Sequence, residues 1–397
     1  MRNPRPKSRR TRRLFTRVFA ASLALPAVTN AQAPKAVVEE ILVTAQKREQ
    51  SLQDVPISVV ALSAEMMESS NIQDMEDVAS FTPNLSVFSM PPFTSLSVRG
   101  LGSPFDKGFE HSAGLFLDGV YVGRLAFLDS AFLDVQSVEV LRGPQGTLFG
   151  KNTISGALSI RSVQPNDEFM VSLEAQTGDR DLEKYTLLAN LPLTDSLAMR
   201  LAYAKGARDG AVYNTTLDRQ EGSNESENYR LSARWDISDT VNITASSTHI
   251  DQNYNLGQFQ VQTATDEQFQ LMQFYDDQVE RNPKDFQSSQ DFAPQAPQKG
   301  EKHDISVNFE WWEHEFSLIN SLSGITEVSE TDLDFSPIPL LYFLNGEDYR
   351  QTSHELRIVS PLGMLDGKLD YVGGIYYAES DTDIQVIIDA APEPADL

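Results

Sequence analysis

The chain has 397 residues, of which 40% are hydrophobic and 9% aromatic, enough for an ordered core, so disorder as the main state is excluded. Lys and Arg total 32 against 57 Asp and Glu, a formal charge of -25 that nucleic acid phosphates repel, which leaves no nucleic acid among the expected partners. Cysteine is absent, removing disulfides, thiolate metal sites and cysteine nucleophiles, and no apolar run reaches the roughly 18 residues of a spanning helix, which leaves a β-barrel as the open membrane class.

Residues 1–33 read as a signal peptide. Arg2, Arg5, Lys7, Arg9, Arg10, Arg12, Arg13 and Arg17 carry eight positive charges ahead of the short apolar stretch Val18 to Val28, and Ala31-Gln32-Ala33 marks the cleavage region. Removing them takes eight positive charges and no negative ones, so the mature charge is -25 minus 8, or -33. Residues 34–50 form a polar leader interrupted by EILVTA (Glu40, Ile41, Leu42, Val43, Thr44, Ala45), whose β propensity suits strand addition to a periplasmic partner. The plainer reading is a first strand of the domain that follows.

Residues 51–167 mix helix and strand signals. Ser63 is expected to cap AEMMESS and Asp74 to cap MEDVASF. Asp118-Gly119 predicts a hairpin turn inside GLFLDGVYVG, and VQSVEVLRG at 135 to 143 reads as a strand. The stretch LRGPQGTLFGKN at 141 to 152 is not a phosphate loop, because Gln145 stands where a Walker glycine is needed and Asn152 where Ser or Thr would bind magnesium.

From 168 to 397 period-two alternation takes over. Leu197, Met199, Leu201 and Tyr203 alternate with Ala198, Arg200, Ala202 and Ala204; Tyr229, Leu231, Ala233 and Trp235 alternate with Arg230, Ser232 and Arg234. Nine strands are expected, near 169–177, 183–191, 197–205, 228–237, 240–250, 302–312, 315–327, 350–360 and 368–379, each about the 9 to 11 residues that cross a bilayer. Tight turns alternate with long loops at 206–227, 251–301 and 328–349, the pattern of an outer-membrane barrel with short periplasmic turns.

VEEILVTAQKREQSLQDVPISVVAL, FTPNLSV, LSVRGLG, GLFLDGVYVG and VEVLRGPQGTLFGKNTISGALSI, in this order, resemble the plug domain of a TonB-dependent outer-membrane receptor, and HELRIVSPLGMLDGKLDYVGGIYY resembles a strand, turn and strand of that family's barrel. The family's Gly-Gly pair followed by Ala-Ile-Asn-Ile is here Ser155-Gly156-Ala157-Leu158-Ser159-Ile160. The implied fold is an α+β plug domain followed by antiparallel transmembrane β-barrel strands. Family barrels have 22 strands, which at this spacing need on the order of 560 residues, so a partial barrel is expected; the chain also ends in Ala-Asp-Leu rather than an aromatic residue.

The resemblance implies that Glu40 to Ala45 is a TonB box outside the packed core, engaging TonB of an inner-membrane energy-transducing complex. Arg99, Arg142 and Lys151, with Glu139, are expected to lock the plug to the barrel wall, or else to be solvated. Active uptake of a scarce extracellular ligand is implied, most often an iron chelate; an oligosaccharide or cobalamin-like ligand and a passive porin or adhesin are the alternatives. The loop from Asp251 to Gly300 has twelve glutamines, and eight acids against three bases. Its rings Tyr254, Phe259, Phe269, Phe274 and Tyr275, with Phe286 and Phe292, are candidate ligand contacts; the plainer reading is a solvated loop that meets divalent cations and lipopolysaccharide. His111, His249, His303, His314 and His354 show no HExxH spacing, and no GxSxG occurs, so neither catalytic residue, metal nor cofactor is expected.

Overall fold

In the computed structural model the described residues are 42–390, apart from 45–46, 49, 54, 91–92, 103–109, 258, 262 and 281–285. The signal peptide, Glu40, Ile41 and Ala45 lie outside them. A short hairpin, β1 (Leu42–Val43) with β2 (Gln50–Ser51), leads into β3 (Val59–Ser63). Helices α1 (Ala64–Ser69) and α2 (Met75–Phe81) begin where capping chemistry placed them: the Met66 N–H donates to Ser63 and the Asp77 N–H to Asp74. They turn Met67, Met75 and Val78 inward.

The plug then builds β4 (Leu85–Met90), β5 (Phe93–Val98), β6 (Leu101–Gly102), β7 (Ala113–Leu117) and β8 (Val120–Val122). Helix α3 (Leu128–Ala131), β9 (Val135–Arg142), α4 (Gly146–Phe149) and β10 (Gly156–Ser162) follow. The central sheet runs β3-β9-β10-β7-β8, with the β10–β7 pair parallel and its other pairs antiparallel. Asp118 (φ 51°) and Gly119 (φ 82°) both take the left-handed conformation of the expected hairpin turn.

Period two divides this sheet into faces. Val138, Val140, Leu158, Ile160 and Leu115 point to one core with Leu62, Leu96 and Phe127. Leu141, Ala157, Ala61 and Phe116 point to a second core with Phe149 and Val43. Glu139 shares that second face, paired across to Ala61 and Ser159, and small neighbours leave its carboxylate a slot.

Beyond Ser162 a single antiparallel meander forms the wall. Its strands are β11 (Met170–Thr177), β12 (Glu183–Thr194), β13 (Leu197–Arg208), β16 (Asn224–Ser238), β17 (Val241–Asn255), β19 (Gln295–Trp311), β20 (His314–Asp332), β21 (Leu341–Val359) and β22 (Val372–Ala390). Between β13 and β16 lie β14 (Val212–Asn214) and β15 (Arg219–Glu221), which form a small sheet with β18 (Gln287–Ser288). Polarity in the wall is inside out: Asn190, Arg200, Arg230, Gln252, Lys302 and Gln351 are buried towards the plug, while Leu173, Trp235, Ile305 and Ile375 stand exposed outward. Ile250 and Ile325 join the plug's first core, so plug and wall share one packed interior. Trp311 and Trp312 stack at 4.4 Å beside the β19–β20 turn.

Two loop expectations need correction. The strands run past the bilayer length, up to 19 residues, so that 328–349 is mostly β20 and β21, joined by the eight residues 333–340. Polar pairs such as Ser329 with Asn345 and Glu327 with Glu347 continue the ladder past the alternating stretch, where residue polarity no longer separates strand from loop. The 251–301 loop also contains a helix, α5 (Asp266–Tyr275), opened by a capping box in which Thr265 and Gln268 each accept from the other's backbone. No helix among the described residues is long and apolar enough to cross a membrane, which says nothing of strands.

Candidate functional site

The leader is docked on the plug. Val43 is 1% exposed in the core with Leu141, Phe149 and Ala61, and β1 is paired to β2. Thr44 donates twice to Glu139 Oε1, from its N–H at 2.9 Å and its hydroxyl at 3.1 Å. The expectation that this segment stands outside the packed core is therefore corrected. A carboxylate buried among Ala61 and Ser159 needs donors, and Thr44 supplies two to Oε1, Oε2 remaining without a partner, while Val43 fills the apolar space alongside. Arg48 reaches the wall, donating from Nη2 to the Ser360 carbonyl at 2.8 Å.

The expected lock is corrected too. Glu139 serves Thr44; Lys151 pairs with Glu110 at 2.7 Å on the plug surface; Arg142 donates from Nη1 to the Pro83 carbonyl at 3.3 Å. Arg99 is exposed in the turn after β5, its guanidinium beside Gly143. These contacts all stay within the plug.

Other residues join plug to wall. Arg200 on β13 grips Asp134 with a fork, Nε to Oδ2 at 2.6 Å and Nη2 to Oδ1 at 2.7 Å. Arg230 on β16 donates from Nη2 to the carbonyls of Leu133 at 2.6 Å and Asp134 at 3.0 Å, and lies 3.8 Å from the Asp134 carboxylate. All three charged side chains are buried, between 4% and 7% exposed, so the cluster is held in low dielectric where its pairing matters. At the other edge Arg124 pairs with Glu347 at 2.7 Å and stacks 4.0 Å over the Tyr349 ring, while Gln351 donates to the Tyr121 carbonyl at 2.8 Å. The polarity is the reverse of the expected one in the buried cluster: the plug gives the acid and the wall the arginines. The available signal was the pair of arginines at plug-facing positions of two strands in an acidic chain.

The five candidate rings do not converge. Phe269 is 3% exposed in a small core with Met272 and Val279. Tyr254 belongs to β17 and donates to Gln252 Oε1 at 2.9 Å; Phe259 packs on Phe335 with centroids 5.0 Å apart. Phe274 and Tyr275, 83% and 50% exposed and set edge to face, are the two of the five that present open rings. Nearby, burial together with Asp334 and Asp291 pushes the Asp332 carboxyl up to about 8, while its Oδ1 accepts from the N–H groups of Asp334 and Phe335.

Comparison with known proteins agrees with this architecture. The family described as TonB-dependent Receptor Plug Domain matches residues 51–157. The pesticin receptor of Yersinia pestis is 30% identical over 189 residues, 46% of this chain and 28% of that protein. The iron-regulated outer membrane virulence protein of Vibrio cholerae serotype O1 is 25% identical over 189 residues, 43% of this chain and 28% of that protein. The matched stretch thus spans little more than a quarter of these relatives' length. The ferric yersiniabactin uptake receptor FyuA from Yersinia pestis superposes with a TM-score of 0.68 at 20% identity, over 84% of this chain and 50% of that one, a likeness of fold.

Proposed function

We propose that this chain is part of a TonB-dependent outer-membrane receptor and takes up a ferric siderophore or similar iron chelate, driven by a TonB partner that pulls on residues 40–45. The observation that carries the reading is the docked leader: a β-prone segment held on the plug by Val43 and by two hydrogen bonds to one buried acid. Withdrawing Thr44 leaves Glu139 without those donors. Leaving a buried acceptor unsatisfied costs of order 1 to 3 kcal/mol, so removal of the segment and loosening of the plug sheet are linked through this one carboxylate. The outward apolar band faces lipid and lipopolysaccharide, and Phe274 and Tyr275 offer ring faces to an extracellular ligand.

The test is growth of a strain lacking the full-length gene on single iron chelates as the iron source. Loss of growth on one chelate, restored by the gene only in cells with a working TonB, supports the reading. Restoration in cells without TonB refutes energised uptake and favours the passive pore.

A further inference from the structure

A cavity of about 230 Å3 lies between the plug and the strands β21 and β22, lined among others by Phe116, Tyr121, Phe149, Arg357 and Tyr376. The side chain of Lys47, five residues after Leu42, is inserted into it. The ammonium sits 5.1 Å from the Phe116 ring centroid and 4.8 Å from that of Phe149, and donates to the Gly119 carbonyl at 3.4 Å. The two rings meet edge to face at 4.8 Å, making a corner rather than a flat wall. Lys47 reaches this corner from a left-handed backbone conformation (φ 61°), closed by its N–H donating to the Thr44 carbonyl at 2.8 Å; lysine rarely adopts it without compensation from elsewhere.

Burial pushes the Lys47 amine down to about 8, with Arg357 and Arg161 opposing its charge and Glu355 favouring it; Lys151 also lines the cavity. Below that value the amine is charged in a place that penalises charge, so rings and carbonyl hold it against repulsion.

We propose that Lys47 is the latch of the coupling segment: its side chain, wedged into the corner of Phe116 and Phe149, keeps residues 42–44 on the plug, and its buried charge limits that hold to a strength a pull can overcome. This rests on the reading of residues 40–45 as the coupling segment. A neutral chain of similar length would hold the corner more tightly, and a short one would hardly hold it.

Val43→Cys supplies the reporter, because the full-length receptor can be assayed in outer-membrane preparations with a maleimide reaching the periplasmic side, and this chain brings no competing cysteine. Against that background, Lys47→Ala is expected to raise the labelling rate on the order of tenfold, and Lys47→Met to lower it about threefold or more. Heat-modifiable migration checks that each variant is folded. Equal rates for Lys47, alanine and methionine overturn the latch. Uptake is read separately: if labelling moves as expected but transport by the methionine variant stays at the wild-type level, the latch stands and the coupling role of the segment fails.

Discussion

Asp134→Asn is the sharpest test of how the plug is seated. The substitution keeps the shape, and asparagine tolerates the left-handed backbone of this position (φ 61°), so the lost charge is isolated from backbone strain. Arg200 and Arg230 then share a buried site without the carboxylate that both approach, Asp118 being the acid still acting on Arg230, and arginine does not shed its proton. Removing one partner of a buried ion pair costs about 3 to 5 kcal/mol. With a urea dependence of about 1.5 kcal/mol per molar for a domain of the plug's size, the plug should unseat roughly 2 to 3 M earlier. The assay is maleimide labelling of Ala131→Cys, a buried α3 position, in full-length receptor titrated with urea below the concentration that unfolds the barrel. Adding Arg200→Met to Asp134→Asn should restore part of the loss, since the pair acts as a unit. A midpoint shift under about 0.5 M for Asp134→Asn, with the barrel intact, would refute the assignment of this cluster as the seat of the plug.

Val43→Pro removes a backbone donor and the side chain that fills the second plug core, so uptake should fall to background while ligand still binds at the cell surface; wild-type transport by this variant would sink the coupling role. A cysteine at Gln270, exposed on α5, should react with an impermeant maleimide on intact cells, whereas one at Asp195, in the β12–β13 turn, should react only after the outer membrane is opened; the opposite order inverts the topology. Asp332 carries a raised carboxyl pKa, so its contribution to loop closure is complete below pH 3.8 and is lost as the pH rises through about 8. Protease cleavage within 333–340 should therefore be faster at pH 8.5 than at pH 5.5, and Asp332→Asn should flatten the difference; a pH-independent wild type would contradict it.

The strands of the wall were legible because a surface with lipid on one side and a wet lumen on the other forces period-two alternation, and the nine runs expected from Leu197, Tyr229 or Ile305 and their neighbours all appear in one sheet. Caps at Ser63 and Asp74 were equally plain, being decided within four residues. What stayed hidden was set by long-range partners. Whether Val43 is free or buried depends on a carboxylate 95 positions from Thr44, and the fork of Arg200 on Asp134 spans 66 positions. The capping box at Thr265 and Gln268 was local and readable, and was masked by the surrounding glutamines and acids, which read as loop.

Placing the acid on the plug and both arginines on the wall fixes what the wall presents once the plug has moved. Arg200 and Arg230 belong to strands that stay in the barrel, and neither can neutralise itself by losing a proton at any physiological pH. A vacated lumen therefore carries a fixed cationic ring segment at the height of β13 and β16. If the plug withdraws as proposed, the returning Asp134 is steered to its own seat by the two charges it left behind. On the proposed reading, reseating is thus guided by the wall strands, with no need for a pulling partner.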